Sequence, residues 1–358
     1  MTGDAPVAVT VVTSQFEAEL IVGLLQSNGV DAAVSADDAG GQEPQLQLQG
    51  VRVLVSSADE AAARQILDDA QTNSQAVEEG AAMGTEQFHV DAVSAAYWRV
   101  TFDSGPVNLL DPDTVEQLGA LIERIEKDPN LAVVVFCSEK PGYFMAHWDF
   151  LSDTARVLEM SPGPTGLHPY LDNFVRLSKL PVTTIAEIRG RARGAGSEFV
   201  LATDIRFASE NAVLGQFEVG VGAVPGGGPM ARLGRLVGRG RALEILLGGD
   251  DIPAALAAEY GYVNRVVSDR DIEGFVDAFA RRIATFDKVA VAGIKKLVDV
   301  ATLPEDAEFA PGLQVYFATA GRPENRPFTE RLLREGLQQP DGIEADLGNA
   351  IGALRRPQ

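Results

Sequence analysis

At 358 residues, with 46% hydrophobic and 23% charged, the chain has the length and composition of a globular protein of two domains, which excludes collagen-like and disordered classes. Its net charge of −21 argues against non-specific nucleic-acid binding, which needs a basic face, and no run approaches the roughly 20 apolar residues that span a bilayer. The acidity is uneven: −12 of it lies in residues 1–90, where 14 acids face only Arg52 and Arg64.

The start Met1-Thr2-Gly3-Asp4 lacks the basic region of a secretory signal, so a cytoplasmic location is expected. Val7 to Val12 is a β-branched run, Phe16, Leu20 and Leu24 recur at helical spacing within 16–26, and Val30 to Val34 predicts a second strand. Val51 to Val55 predicts another strand and Ala58 to Ala70 a helix capped by Ser56 or Ser57. Residues 1–70 are therefore expected to form a small α+β domain. Residues 71–90 are polar, small and non-periodic, which is linker composition, and 91–358 form the second domain.

In that domain Trp98 to Phe102 predicts a strand, and Asp111-Pro112 opens a helix with Asp as N-cap and Pro at its first position. Val115, Leu118, Leu121, Ile122 and Ile125 give the helix one apolar face, and Asp128-Pro129 ends it before the strand Leu131 to Cys137. Strand, helix, strand implies a right-handed crossover. Cys137, the only cysteine, reads as a buried thiol in that apolar strand. The alternation continues through Val182 to Ile188, Gly196 to Ala202, Ile205 to Ala208 and Pro229 to Val237. Helices over 240–248, 271–286, 289–300 and 326–338 make the last third almost all α, while the Pro/Gly stretch Ser161 to Gly166 reads as a pocket-shaping loop.

Gly190-Arg-Ala-Arg-Gly194-Ala195-Gly196 ends a strand and opens a helix, gathering free N–H groups at a positive helix terminus. It suits an anion or oxyanion site, or else close helix packing, and lacks the spacing of a dinucleotide fingerprint. Val224-Pro-Gly226-Gly-Gly-Pro229 also leads into a helix but lacks the Lys-Ser/Thr ending of a phosphate loop. His89, His147 and His168 form no constellation for a metal or a Ser/His/Asp triad. Glu198 and Glu218 each follow glycine-bearing backbone, and two carboxyls whose pKa values are pushed apart divide acid and base work.

The segments Pro106-Val-Asn108-Leu, Phe144-Met-Ala-His-Trp148-Asp149, Lys179-Leu-Pro-Val, Gly190 to Glu198, Gly215-Gln-Phe-Glu218 and Val224 to Gly228 resemble the crotonase (enoyl-CoA hydratase/isomerase) superfamily, over about Trp98 to Ala353. The resemblance implies an α/β fold, a spiral of β-β-α units with a C-terminal helical part from about 271, acting on an acyl-CoA thioester. It places the oxyanion hole at the amides of Trp148 and Ala195, a pair of glutamates around a water at Glu198 and Glu218, and a water-positioning backbone at Gly226. The implied reaction is hydration of a trans-2-enoyl-CoA, Glu198 taking a proton from water and Glu218 giving one to C2. Ala146, Asp149, Arg191 and Arg193 are expected near substrate or CoA, the two arginines equally as surface residues. No cofactor is implied beyond the CoA of the substrate. The implied assembly is a homotrimer or hexamer, with helices from about 289 packing on a neighbour.

Trp148 and His147 stand where the family usually has small residues, Ala195 where it has glycine, and Leu151 where many members have a basic residue near CoA. Double-bond isomerisation and non-catalytic acyl-CoA sensing are the alternative expectations. Residues 5 to 70, through Val12-Thr-Ser, Glu17-Ala-Glu19, Leu24-Leu25, Asn28-Gly-Val30 and Val53-Leu-Val55, resemble small prokaryotic signal-transducing domains with a ferredoxin-like fold.

Overall fold

The computed structural model describes residues 6–12, 22, 25, 30–35, 51–65, 67 and 86–355. The chain divides into two compact units, Met1–Thr85 and Glu86–Gln358. In the first, β1 (Pro6–Val12) and β2 (Ala32–Ser35) both pair antiparallel with β3 (Val51–Ser56), which lies between them. Strands β1 and β2 therefore run the same way with β3 inserted, the split β-α-β arrangement of ferredoxin-like domains. Alternate residues Val51, Val53 and Val55 bury one face of the sheet against Leu25, Val30 and Ala63. Residues 60–65 are helical, and the Ser56 hydroxyl accepts the N–H of Asp59 at their start. Of the helix expected over 16–26 only Val22 and Leu25 are described, both helical, and the linker expected from 71 lies outside the described residues up to Thr85.

Residues 88–90, expected to close the linker, are strand. Strand β4 (Phe88–Ser94) already belongs to the second unit and pairs antiparallel with β5 (Tyr97–Phe102). Its exposed alternate residues His89 and Asp91 give it the polarity of a linker; the register with β5 makes it an edge strand.

The second unit has two sheets. The larger runs β13 (Arg265–Val267), β10 (Ile205–Ser209), β8 (Thr183–Ile188), β6 (Val133–Ser138), β5, β4; the smaller runs β12 (Ile252–Pro253), β11 (Val213–Gly215), β9 (Arg191–Arg193), β7 (Tyr143–Met145). Chain order explains this layout. Each of β6, β8 and β10 in the large sheet is followed at once by β7, β9 or β11 in the small one, then by helix, so successive β-β-α units stack as a spiral. Strand β6 is buried at every position because both faces are covered, which is why it reads as one apolar run that includes Cys137.

Helix Pro112–Lys127 starts as its sequence dictates: Asp111 accepts the N–H of Thr114, and Thr114 returns a bond to the Asp111 N–H. Helix Pro169–Lys179 has no counterpart among the sequence expectations, because His168 is not a usual cap; here its Nδ1 accepts the N–H of Tyr170. Helix Ile272–Ala284 covers the large sheet through Ile272, Val276 and Ala280. The remaining helices behave differently from one another. Helix Lys288–Thr302 buries no residue, whereas helix Ala310–Ala320 and the segment 343–355 pack on the same chain through Phe309, Leu313, Leu347 and Ile351. Of the helices expected to pack on a neighbour, those beyond 309 thus have partners in this subunit for Phe309, Leu313, Leu347 and Ile351, while Val315 is left exposed. Among the described residues no helix is long and apolar enough to cross a membrane.

Gly196 fixes how closely helix Ala195–Ala202 approaches β7, since a Cβ there would lie 1.9 Å from the carbonyl oxygen of Met145. Gly196→Ala is therefore expected to cost about 3 kcal/mol, from backbone displacement in a packed core. Gly234→Ala, on an exposed helical position with nothing within 4 Å, is expected to gain about 0.5–1 kcal/mol. Denaturant midpoints of the two variants check the contrast.

Candidate active site

Parallel pairing brings two segments to the same end of the small sheet. Tyr143 lies opposite Arg191 and Met145 opposite Ala192, and the Arg193 N–H bonds the carbonyl of Ala146 at 3.0 Å. Two residues beyond each of these points come Trp148 and Ala195. Asn108, at φ 58°, stitches the first segment down: its side-chain amide donates to the carbonyl oxygens of Phe102 and Phe144 and to Ser138 Oγ, and its own carbonyl accepts the N–H of Ala146.

The backbone leaves one N–H free at each tip. Leu110 N–H bonds His147 O at 2.9 Å and Asp149 N–H bonds Leu110 O at 2.7 Å, an isolated bridge that skips the amide of Trp148. Ala195 is the first residue of its helix, where an N–H has no intrahelical acceptor, and Gly194 provides no side-chain cap. Among the described residues neither N–H donates a hydrogen bond. Both are therefore available to an oxygen from outside the chain.

Glu198 lies in the first turn of that helix and is buried, with both carboxylate oxygens occupied. Oε1 accepts the Gly227 N–H at 2.8 Å and Oε2 accepts the Tyr170 hydroxyl at 2.5 Å. Gly227 must be glycine, since a Cβ there would meet Oε2 at 2.3 Å. Glu218 opens the turn Glu218–Val221 and is also buried; its Oε2 has no partner, and its Oε1 lies 2.7 Å from the position of a Cβ on Gly194. Gly194 thus lets this carboxyl crowd the backbone that leads into Ala195.

Burial sets the proton affinities. It pushes the Glu198 carboxyl up to about 7, against the opposing effect of the Tyr170 and Gly227 donors. Burial, then the charge of Glu198, raises Glu218 well above the carboxylate range, with no side-chain donor to offset it. Near neutral pH the pair therefore retains a proton, and the environment favours Glu218 as its holder. Aromatic rings close the surroundings: Trp148 meets Tyr170 edge-on at 5.5 Å, and Tyr170 meets Phe174 at 4.8 Å. Tyr316, from helix Ala310–Ala320, is half-buried near both carboxyls, its phenol raised to about 12 by burial and then by their charges. Gly226 packs against Leu313 and Tyr316, where an added Cβ would be 3.1 Å from each.

A second polar cluster underlies the Trp148 segment. His147 is buried between Phe150 and Phe217, with Nδ1 2.7 Å from the carbonyl of Trp148 and Nε2 2.9 Å from Glu344. Glu344 also accepts the Gln338 N–H, and Gln338 in turn bonds Asp149 and the N–H of Phe150. Burial alone would raise the Glu344 carboxyl, but His147 and then Arg193 hold it down at about 2. Arg193 completes the cluster with a two-pronged contact to Asp251 at 2.6 and 2.7 Å.

Burial corrects the expectation for Arg193, and the other residues named with it take the following places. Arg193 is wholly inside the protein, so its charge serves the fold and not CoA phosphates. Arg191 donates to the carbonyls of Ala345 and Gly142 and packs on Tyr143, and Asp149 is committed to Gln338 and to the N–H of Leu151. Ala146 is buried in the bridge beneath Trp148, and Leu151 is 71% exposed. Tyr170, Tyr316 and Glu344 escaped the sequence reading, as did the bond from Gly227, within the Val224 to Gly228 segment, to Glu198. Only Tyr170 had a local signal, the Pro169 that opens its helix; the others reach the site through tertiary packing.

Stacked β-β-α units spread over two sheets define the crotonase class of fold. Residues 93–319 match the family described as "Enoyl-CoA hydratase/isomerase", and residues 7–71 match that described as "Putative prokaryotic signal transducing protein". The chain belongs to the enoyl-CoA hydratase/isomerase family. It is 32% identical over 212 residues to "Probable enoyl-CoA hydratase 2, mitochondrial" of Arabidopsis thaliana, covering 58% of this chain and 67% of that relative. Among solved structures, a "putative enoyl-CoA hydratase" from Streptomyces avermitilis is 38% identical with a TM-score of 0.71, covering 76% of this chain and 98% of that one. Pseudomonas aeruginosa DspI is 29% identical with a TM-score of 0.56, covering 71% and 93%.

Glu344→Ala leaves Arg193 and His147 buried without their shared carboxylate and is expected to cost about 3–5 kcal/mol. Because the folded carboxyl sits below its unfolded value, its contribution is complete above about pH 4.3 and is lost as pH falls toward 2. Urea unfolding at pH 7 and pH 3 checks this: the gap between wild type and variant should narrow at the lower pH.

Proposed function

We propose that the chain is an enoyl-CoA hydratase, adding water across the double bond of a trans-2-enoyl-CoA. The observation that carries this reading is the pair of buried carboxyls of unequal proton affinity, Glu198 and Glu218, beside the unbonded amides of Trp148 and Ala195. The thioester oxygen accepts both N–H groups, which stabilise the negative charge as an enolate develops; one such donor is worth roughly 3 to 4 kcal/mol of barrier. Ionised Glu198 takes a proton from water as its oxygen bonds C3, and the C2–C3 π electrons move toward the thioester. Protonated Glu218 then delivers its proton to C2, and transfer of one proton from Glu198 to Glu218 resets the pair. The turn through Gly226 and Gly227, which already holds Glu198, is the backbone assigned to positioning the water. No resident cofactor enters these steps, because CoA arrives with the substrate.

A homotrimer, alone or paired as a hexamer, is part of the same proposal. Helix Lys288–Thr302 supports it by presenting Val289, Ile294, Leu297 and Val300 to solvent with no buried residue of its own. Sedimentation should give a trimer or its double, and Leu297→Asp should shift the protein toward monomer.

Glu198→Gln and Glu218→Gln are each expected to lower hydration of crotonyl-CoA and longer enoyl-CoAs about a thousandfold. Retained turnover in either variant would sink the reading; turnover of a 3-enoyl-CoA alone would indicate isomerisation, and binding without turnover a sensor. Stability should move the other way. A carboxyl whose folded pKa is raised destabilises the fold as pH climbs above about 4.3, so Glu218→Gln removes that cost at neutral pH. Its melting temperature should exceed that of wild type by about 3 °C or more.

A further inference from the structure

We infer that Tyr170 is a positioning residue for the Glu198 base, its hydroxyl clamping one carboxylate oxygen while the Gly227 N–H clamps the other. The inference rests on the hydration reading for its kinetic consequence, and on geometry alone for the clamp. Tyr170 is held at every other point. Its N–H bonds His168 Nδ1, whose Nε2 lies 2.8 Å from the carbonyl of Val157, and its ring is wedged between Trp148 and Phe174. The hydroxyl is left with one bond, the 2.5 Å contact to Glu198 Oε2.

A carboxylate oxygen carries two lone pairs, so one donor on each oxygen fixes the plane of the group and leaves one lone pair per oxygen for water. Without Tyr170 the carboxylate would keep one anchor and rotate. A phenol also donates to the ionised form, and its own titration is pushed well above 10 by burial and by Glu198, so it stays a donor throughout the working range. Two donors favour the ionised state that a base needs. The titratable groups facing Glu198 are Tyr170, Glu218, Tyr316 and Tyr262, of which Tyr170 makes its only side-chain hydrogen bond. What acts against ionisation is burial. Placing the clamp on the ring that abuts Trp148 also ties the base to the segment that presents the free amide.

Tyr170→Phe keeps both ring contacts and removes only the hydroxyl. It is expected to lower kcat for enoyl-CoA hydration about ten- to a hundredfold, the loss of a hydrogen bond to a charged group, with KM within about twofold. The acidic limb of kcat/KM, which requires ionised Glu198, should move to higher pH. Tyr170→Leu should reproduce the limb shift and add a stability loss, which separates clamping from packing. Infrared titration of the Glu198 carboxyl band, assigned with Glu198→Gln, reads the same upward shift without turnover. An unshifted band in Tyr170→Phe overturns the inference whether or not the protein hydrates enoyl-CoA. A wild type that binds but does not turn over enoyl-CoA, with the band shifted, overturns the hydration reading and leaves the clamp standing.

Discussion

Two carboxyl groups buried side by side are the constraint around which the second unit is arranged. Each would prefer water, and the charge of Glu198 raises the proton affinity of Glu218, so the fold has to hold them by means other than an adjacent cation. It does so with small donors and missing side chains. Gly227 supplies an N–H to Glu198 and, by lacking a Cβ, the room for its oxygen; Gly194 makes the same room for Glu218. Glycine at these places is a steric requirement of the carboxyls. The price of such a pair is stability at neutral pH, and the asymmetry of its partners is what sets the two proton affinities apart.

Charge is handled in the opposite way a few residues off. Beneath the Trp148 segment, Glu344, His147, Arg193 and Asp251 form a buried cluster in which every charged group has an opposite neighbour. The compensation drives Glu344 to about 2 while Glu198 rises to about 7, although both are glutamates inside the same unit. Burial acts on both; beside Glu344 it is outweighed by His147 and Arg193, whereas beside Glu198 only the Tyr170 hydroxyl and the Gly227 N–H oppose it. Residues 335–346 thereby become part of the support for the backbone that carries the Trp148 amide, even though they lie beyond the 93–319 match to the family.

Much of this was legible in the sequence where a local rule governs. The Asp111-Pro112 helix start, the apolar run of β6 and the Pro229 helix each follow from capping, burial and proline chemistry, and appear where expected. The strands of the small sheet were not, because three residues are too few for a period; their place is set by pairing with distant segments. The glutamates were legible through the glycines beside them. Tyr170, Tyr316 and Glu344 were not, since each reaches the site across 28 or more positions of chain, where side-chain identity carries no spacing signal. Arg193 shows the converse error: a cation beside a glycine-rich turn suggests an anionic ligand, but its anions are Asp251 and Glu344.

The bulk of His147 and Trp148, where smaller residues are usual for the family, finds its explanation in the extended backbone between Ala146 and Asp149. Adjacent side chains on such a stretch leave on opposite sides. His147 goes inward to Glu344 and the rings of Phe150 and Phe217, and Trp148 goes outward to the edge of Tyr170. Neither side chain competes for the Trp148 N–H, because the bonds that hold this stretch run from Leu110 to the residues on either side of it. The unbonded group at position 148 thus lies in the backbone, and the side chain is free to pack on Tyr170. An indole there does not block the amide; it meets the ring of the tyrosine that bonds Glu198, so the free amide and the buried carboxyl are linked by one aromatic contact.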